Sequence, residues 1–141
     1  MNERRSSQLL AEKYQVIQEN IEKPTLKVGS NGTKTWYQNG VRHRLDGPAV
    51  EYSDGNKMWY QNGMRHRLDG PAVEYSSGNK AWYQNGKLHR LDGPAVEYSS
   101  GSNKMWYING IEYNEKEFDL KKRTRELLKK ASDETGIEMD I

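Results

Sequence analysis

The chain contains no cysteine. Disulfide staples and thiolate metal sites are therefore excluded, and a reducing compartment is tolerated. There is a single phenylalanine, and only 33% of the 141 residues are hydrophobic. That is too little aliphatic surface for a thick globular core or a large enclosed pocket. No apolar run reaches the length of a secretory signal core or a membrane span. Charged residues make up 30% of the chain, yet the net charge is only +2. No excess of one sign steers it towards nucleic acid or an anionic membrane. A cytoplasmic protein with no membrane partner is expected.

What the chain does have is repetition. The phrase Trp-Tyr-Gln-Asn-Gly-x-x-His-Arg-Leu-Asp-Gly-Pro-Ala-Val-Glu-Tyr-Ser begins at Trp36, Trp59 and Trp82. A shortened form, Trp-Tyr-Ile-Asn-Gly, begins at Trp106. The period is 23 residues and then 24, the extra residue entering at Gly101-Ser102-Asn103. A fixed period of this size is the mark of an array in which each unit buries its apolar face against its neighbours. Four Trp and nine Tyr carry most of the bulky apolar surface, which fits a structure one layer deep.

Each unit parses into short strands and turns. Pro71-Ala72-Val73-Glu74-Tyr75 is β-prone, Ser76-Ser77-Gly78-Asn79 is a turn, and Lys80-Ala81-Trp82-Tyr83-Gln84 is the returning strand. Asn85-Gly86 then predicts a type I′ hairpin, because both residues tolerate positive φ. A weaker third strand follows over Lys87-Leu88-His89-Arg90-Leu91, closed by Asp92-Gly93-Pro94. The predicted fold is mainly β, an elongated, twisted antiparallel β-meander of 23-residue repeats flanked by an N-terminal and a C-terminal α-helix. Adjacent strand residues face opposite ways, so the Trp and Tyr rows divide between two faces. The Trp row is expected inside, packed with Val50, Val73 or Val96.

Residues 6–22 carry a helical stripe of Leu10, Tyr14, Ile17 and Ile21, widened by Leu9 and Val16, and Pro24 stops it. After Tyr113, Asn114 is a good N-cap with Glu117 in capping-box spacing. The expected organisation is an N-terminal helix over 1–24, the β-repeat array of about 3.5 units over 25–113, and a capping helix with an acidic tail over 114–141. At least one helix is expected to cap an open end of the array. The rival is a helix stripe that mediates dimerisation, which leaves monomer or homodimer through the terminal helices.

The recurring His43, His66 and His89, with Asp46, Asp69 and Asp92, invite an acid–base or metal reading. Three equivalent copies argue against catalysis, which needs groups with pKa values pushed apart. Equivalent His residues in a two-strand unit stand about 10 Å apart, too far to share one ion. No enzymatic activity, metal or cofactor is expected. Trp36, Trp59, Trp82 and Trp106, the three His, the three Asp, and Gly47, Gly70 and Gly93 are read as fold maintenance. Arg44, Arg67 and Arg90 are expected to pair with Glu51, Glu74 and Glu97 or with the Asp residues. Specificity is expected at positions that differ between copies, Val41, Met64, Lys87 and Ile111, with Arg42, Arg65, Leu88 and Glu112 beside them; the rival is neutral drift in solvated turns.

The Asn-Gly-x-x-His phrase, with Trp upstream and Asp-Gly downstream, resembles MORN-type β-hairpin repeats over about residues 27–113. His43-Arg44-Leu45-Asp46-Gly47-Pro48 and its copies are closer still to the His-Arg-x-Asp-Gly-Pro-Ala repeat proteins of bacteria and phages. That resemblance implies a bacterial or phage origin, hence the host cytoplasm if phage-encoded, and no defined activity. The expected function is a non-enzymatic scaffold that binds another macromolecule. It is read as an accessory or counter-defence inhibitor acting by protein–protein contact, with a host defence protein as partner. The alternative is nucleotide or nucleic-acid binding along an Arg/His/Tyr stripe.

Overall fold

The computed structural model describes residues 3–138. Of the expected helical stripe, the side chain of Ile21 lies outside what is described, as does the end of the acidic tail at 139–141. Helix α1 spans Glu3–Glu22 and helix α2 spans Glu115–Thr135. Between them runs an antiparallel meander with no closed barrel.

The meander has two rails. One is a sheet, ten-stranded among the described residues, whose path runs from Thr25–Val28 and Lys34–Gln38 to Lys104–Ile108 and Ile111–Tyr113. Its middle is built from two-residue strands, Val50–Glu51, Lys57–Met58, Val73–Glu74, Lys80–Ala81 and Val96–Glu97. The register sets Val50 and Val73 on either side of Met58, and Val73 and Val96 on either side of Ala81. Lys and Glu alternate on the opposite face, as in Glu51–Lys57–Glu74–Lys80. Opposite charges directly across a strand pair help to hold register.

The second rail is a row of Asn-Gly hairpins. Asn39, Asn62, Asn85 and Asn109 sit at φ of 49–51° and each following Gly at 76–78°, the left-handed pair that a two-residue type I′ loop requires. Trp59 is the hinge between rails. It belongs to neither strand, donates its N–H to the Ala72 carbonyl, and accepts from the His66 N–H at 3.1 Å. Trp36, inside the strand Lys34–Gln38, and Trp82 make the same two bonds with Ala49 and His43, and with Ala95 and His89. The three alanines are wholly buried.

A one-layer sheet has no deep interior, so the expected inner Trp row is not found. The Trp rings are half-buried, and of the eight Trp and Tyr in the two rows Tyr60 is the one that is buried. It packs with Ala49, Val50, Tyr52 and Met58. Helix α2 caps the C-terminal end. Asn114 accepts from the Glu117 N–H, Phe118 is buried to 1% exposure, and Arg125 donates to the Leu91 carbonyl at 2.8 Å. The described stripe of helix α1 caps no end of the array, for Leu9, Leu10, Tyr14, Val16 and Ile17 are all between 46% and 69% exposed.

Candidate functional site

The His-Arg-Leu-Asp run is a joint between units. His43 Nδ1 accepts the N–H of Asn62, His66 Nδ1 that of Asn85, and His89 Nδ1 that of Asn109, each at 3.0 Å. Each imidazole thus pins the hairpin turn of the next unit, and the bond sets the proton on Nε2. Burial, with Arg125 nearby, holds the His89 imidazole below its ordinary value of 6.5. The unfolded chain therefore takes up this proton first as pH falls. The stability His89 contributes is complete above about pH 6.5 and is lost below it. Thermal melts between about pH 7.5 and 5.5 should show that fall. His89→Asn, whose Oδ1 offers an acceptor that does not titrate, should flatten it.

The arginine of the run is a staple within its own unit. The Arg44, Arg67 and Arg90 guanidinium groups lie 3.8, 4.0 and 3.9 Å from the ring centres of Trp36, Trp59 and Trp82. Each Nε pairs with Asp46, Asp69 or Asp92 at 2.9–3.0 Å. Each Nη1 reaches both the following Pro carbonyl and Glu51, Glu74 or Glu97. Both expected ion pairs thus form together, and the stacking on Trp is additional. Gly47, Gly70 and Gly93 leave room for the guanidinium, since a Cβ at Gly70 would stand 2.8 Å from Arg67 Cζ. With the Arg so engaged and the His bonded to backbone, these repeated groups hold the fold together. Among the described residues no cluster of His, Asp or Glu is arranged to hold a metal ion. No helix there is long and apolar enough to cross a membrane.

The residues that differ between copies fall on two faces. Gln61 pairs across its hairpin with Met64, and Tyr60 with Arg65, so Met64 and Arg65 point opposite ways. The bonds Gly63 N–H to Arg42, Gly86 N–H to Arg65, and Gly110 N–H to Leu88 carbonyls join the hairpins side by side. Val41 therefore lies against Gly63, Met64 against Gly86 and Lys87 against Gly110. Val41, Met64, Lys87 and Ile111 form one exposed row of tips.

The other face carries Tyr37, Tyr60, Tyr83 and Tyr107, paired with Arg42, Arg65, Leu88 and Glu112. Lys27, Arg42 and Arg65 sit 5.0–5.3 Å above the rings of Tyr37, Tyr60 and Tyr83. The ladder turns neutral at Leu88 and acidic at Glu112, and burial with that carboxylate pushes the Tyr107 hydroxyl up. The His residues face the other way, with Trp and Gln. Arg, His and Tyr therefore do not make one stripe.

Comparison with known family models, curated proteins and solved structures finds no match for this chain.

Sequence reasoning missed the clefts between units. One is bounded by Arg44-Leu45-Asp46 and by Trp59, Gln61 and His66, and its equivalent one period on by Arg67-Leu68-Asp69 with Trp82, Gln84 and His89. Their volumes are about 430 and 560 Å³. Leu45 and Leu68 stand 73% and 74% exposed, whereas Leu91, in the third cleft, falls to 43% beside α2. The signal was present in the sequence as an apolar residue repeated in all three copies of a polar run.

Proposed function

We propose that this chain is a non-enzymatic scaffold that binds another macromolecule by protein–protein contact along the tips Val41, Met64, Lys87 and Ile111. One observation carries this reading: the inter-hairpin bonds align four of the positions that vary between copies, the tips, into a single exposed row. Three of the four are apolar, and the neighbouring Asn and Gln residues make a polar rim, the composition of a small protein interface. A methionine at its centre adapts to an irregular partner surface. The likeness to bacterial and phage repeat proteins directs the search to bacterial proteins, defence proteins among them, as partners of a phage-encoded accessory.

A photo-crosslinking residue placed at Met64 should give one discrete protein adduct in bacterial cells, and the same residue at Ser77 should give none. The triple change Val41→Glu, Met64→Glu, Ile111→Glu should abolish capture of that partner. Its stability should stay within about 0.5 kcal/mol per site, since these are surface positions. No adduct at Met64, or capture undiminished in the triple variant, refutes the reading.

A further inference from the structure

We propose that the two open clefts are docking sites for an amphipathic helix, and that their occupant is α1 of a second copy of this chain. The inference is independent of the hairpin tips. It rests on the third cleft, beside Leu91, one wall of which is formed by a helix of the chain itself. There Leu120, Lys121, Thr124 and Arg125 of α2 line the space beside His89 and Leu91. Arg125 donates to the Leu91 carbonyl, and no such donor reaches the Leu45 or Leu68 carbonyls among the described residues. The first two clefts carry the equivalent Leu45 and Leu68 two periods and one period earlier, with Gln61 and Gln84 at the place of Ile108, and no helix lines them among the described residues.

Helix α1 carries an apolar stripe that is exposed along its described residues. Most helical stability in water comes from packing an apolar face, and the described residues of the α1 stripe are uncovered. Leu10 and Ile17 lie seven residues apart, about 10.5 Å at 1.5 Å per residue. One repeat of two strands advances about 10 Å, so the two side chains can meet Leu45 and Leu68 in register. Lys13, three residues after Leu10 and four before Ile17, lies along the same stripe. It would face the cleft mouths, where Asp46 and Asp69 side chains are 87% exposed. In the third cleft two cations of α2, Lys121 and Arg125, likewise lie along the helix wall.

A two-fold axis makes the contact reciprocal, each copy giving its helix and receiving the other's. Large apolar side chains offer roughly 60–120 Å² each. Five stripe residues with Leu45 and Leu68 then leave about 400 Å² open per copy. If about 60% of the contact is apolar, the pair buries roughly 1,300 Å², within the range of specific dimers.

The test is sedimentation of the full chain from about 1 to 200 µM, the range suited to an interface of this size. At the upper end the mass should be twice 16.4 kDa. Leu10→Glu with Ile17→Glu, and separately Leu45→Glu with Leu68→Glu, should each weaken association by at least about 100-fold. Both pairs are exposed, so the aromatic circular dichroism of the array should not change. Hydrogen exchange should show α1 amides protected in the wild type and unprotected in both variants. A wild type that stays monomeric overturns the proposal. So does a Leu45→Glu, Leu68→Glu variant that still dimerises or still protects α1, for then the helix pairs elsewhere.

Discussion

Replacing Phe118 by alanine is expected to cost about 3–5 kcal/mol, the usual range for emptying a fully buried aromatic site, and to release α2 from the array. Phe118 is the one residue of α2 that is buried, at 1% exposure. Without it α2 keeps the Asn114 cap, the Arg125 bond to Leu91 and the Lys121 contact 4.9 Å over the Tyr113 ring. Polar contacts this exposed contribute little each. A repeat array transmits stability only between neighbours, so the loss should stay at the C-terminal end. Amide exchange checks it: positions 115–135 should lose protection while those of Lys57–Met58 and Val73–Glu74 keep theirs. Leu127→Ala, at a site 68% exposed, is the control and should change stability by less than about 0.5 kcal/mol. Uniform loss of protection along the array would refute the local picture.

The second large effect is expected at Arg67. Its guanidinium lies on Trp59 and bonds Asp69, the Pro71 carbonyl and Glu74, with its side chain only 21% exposed. Because Asp69 is solvent-exposed, its pairing counts for little, although Arg67 holds that carboxyl below its ordinary value of 3.8. The weight falls on the stacked ring and on the Pro71 and Glu74 acceptors, which alanine would leave unpaired. Arg67→Ala should therefore cost about 2–4 kcal/mol, lowering the melting temperature by roughly 10 °C. Lysine should recover less than half of this, since it has a point charge in place of the planar fork. Parallel melts of Arg67→Ala, Arg67→Lys and Arg42→Ala decide the matter. If Arg67→Lys melts like the wild type, charge rather than shape holds the unit.

What was legible in the sequence was local. The Asn-Gly loops, the Asn114 cap and the 23-residue meander follow from residues within a few positions of one another, where chain chemistry decides φ and ψ. Opposite orientation of Trp and Tyr followed from strand parity, and it held. Contacts between units were harder. His43 meets the N–H of Asn62, 19 residues on, and only the register of two hairpins brings them together. Arg44 on Trp36 was hidden because an Asp and a Glu competed for the same cation, and the folded unit satisfies both while stacking on the ring. Trp was expected inside because a chain with so few aliphatic residues can hardly spare it. In a single layer the lid over each Trp is a guanidinium, so exposure cannot be read from hydrophobicity alone. The apolar stripe of α1 was recognised, but an amphipathic pattern does not say which chain provides its cover.

Eight residues after Trp36, Trp59 and Trp82 the chain has Arg44, Arg67 and Arg90; eight after Trp106 it has Asn114. The position that elsewhere clamps a tryptophan here starts α2. This makes the array's tolerance of added units directional. A duplicated or deleted stretch of 23 residues upstream of Trp106 keeps every hairpin in phase and inherits the same ending. An addition after Asn114 would have to undo the ending first. Related chains of different length should therefore vary in the number of interior units and share one final phrase.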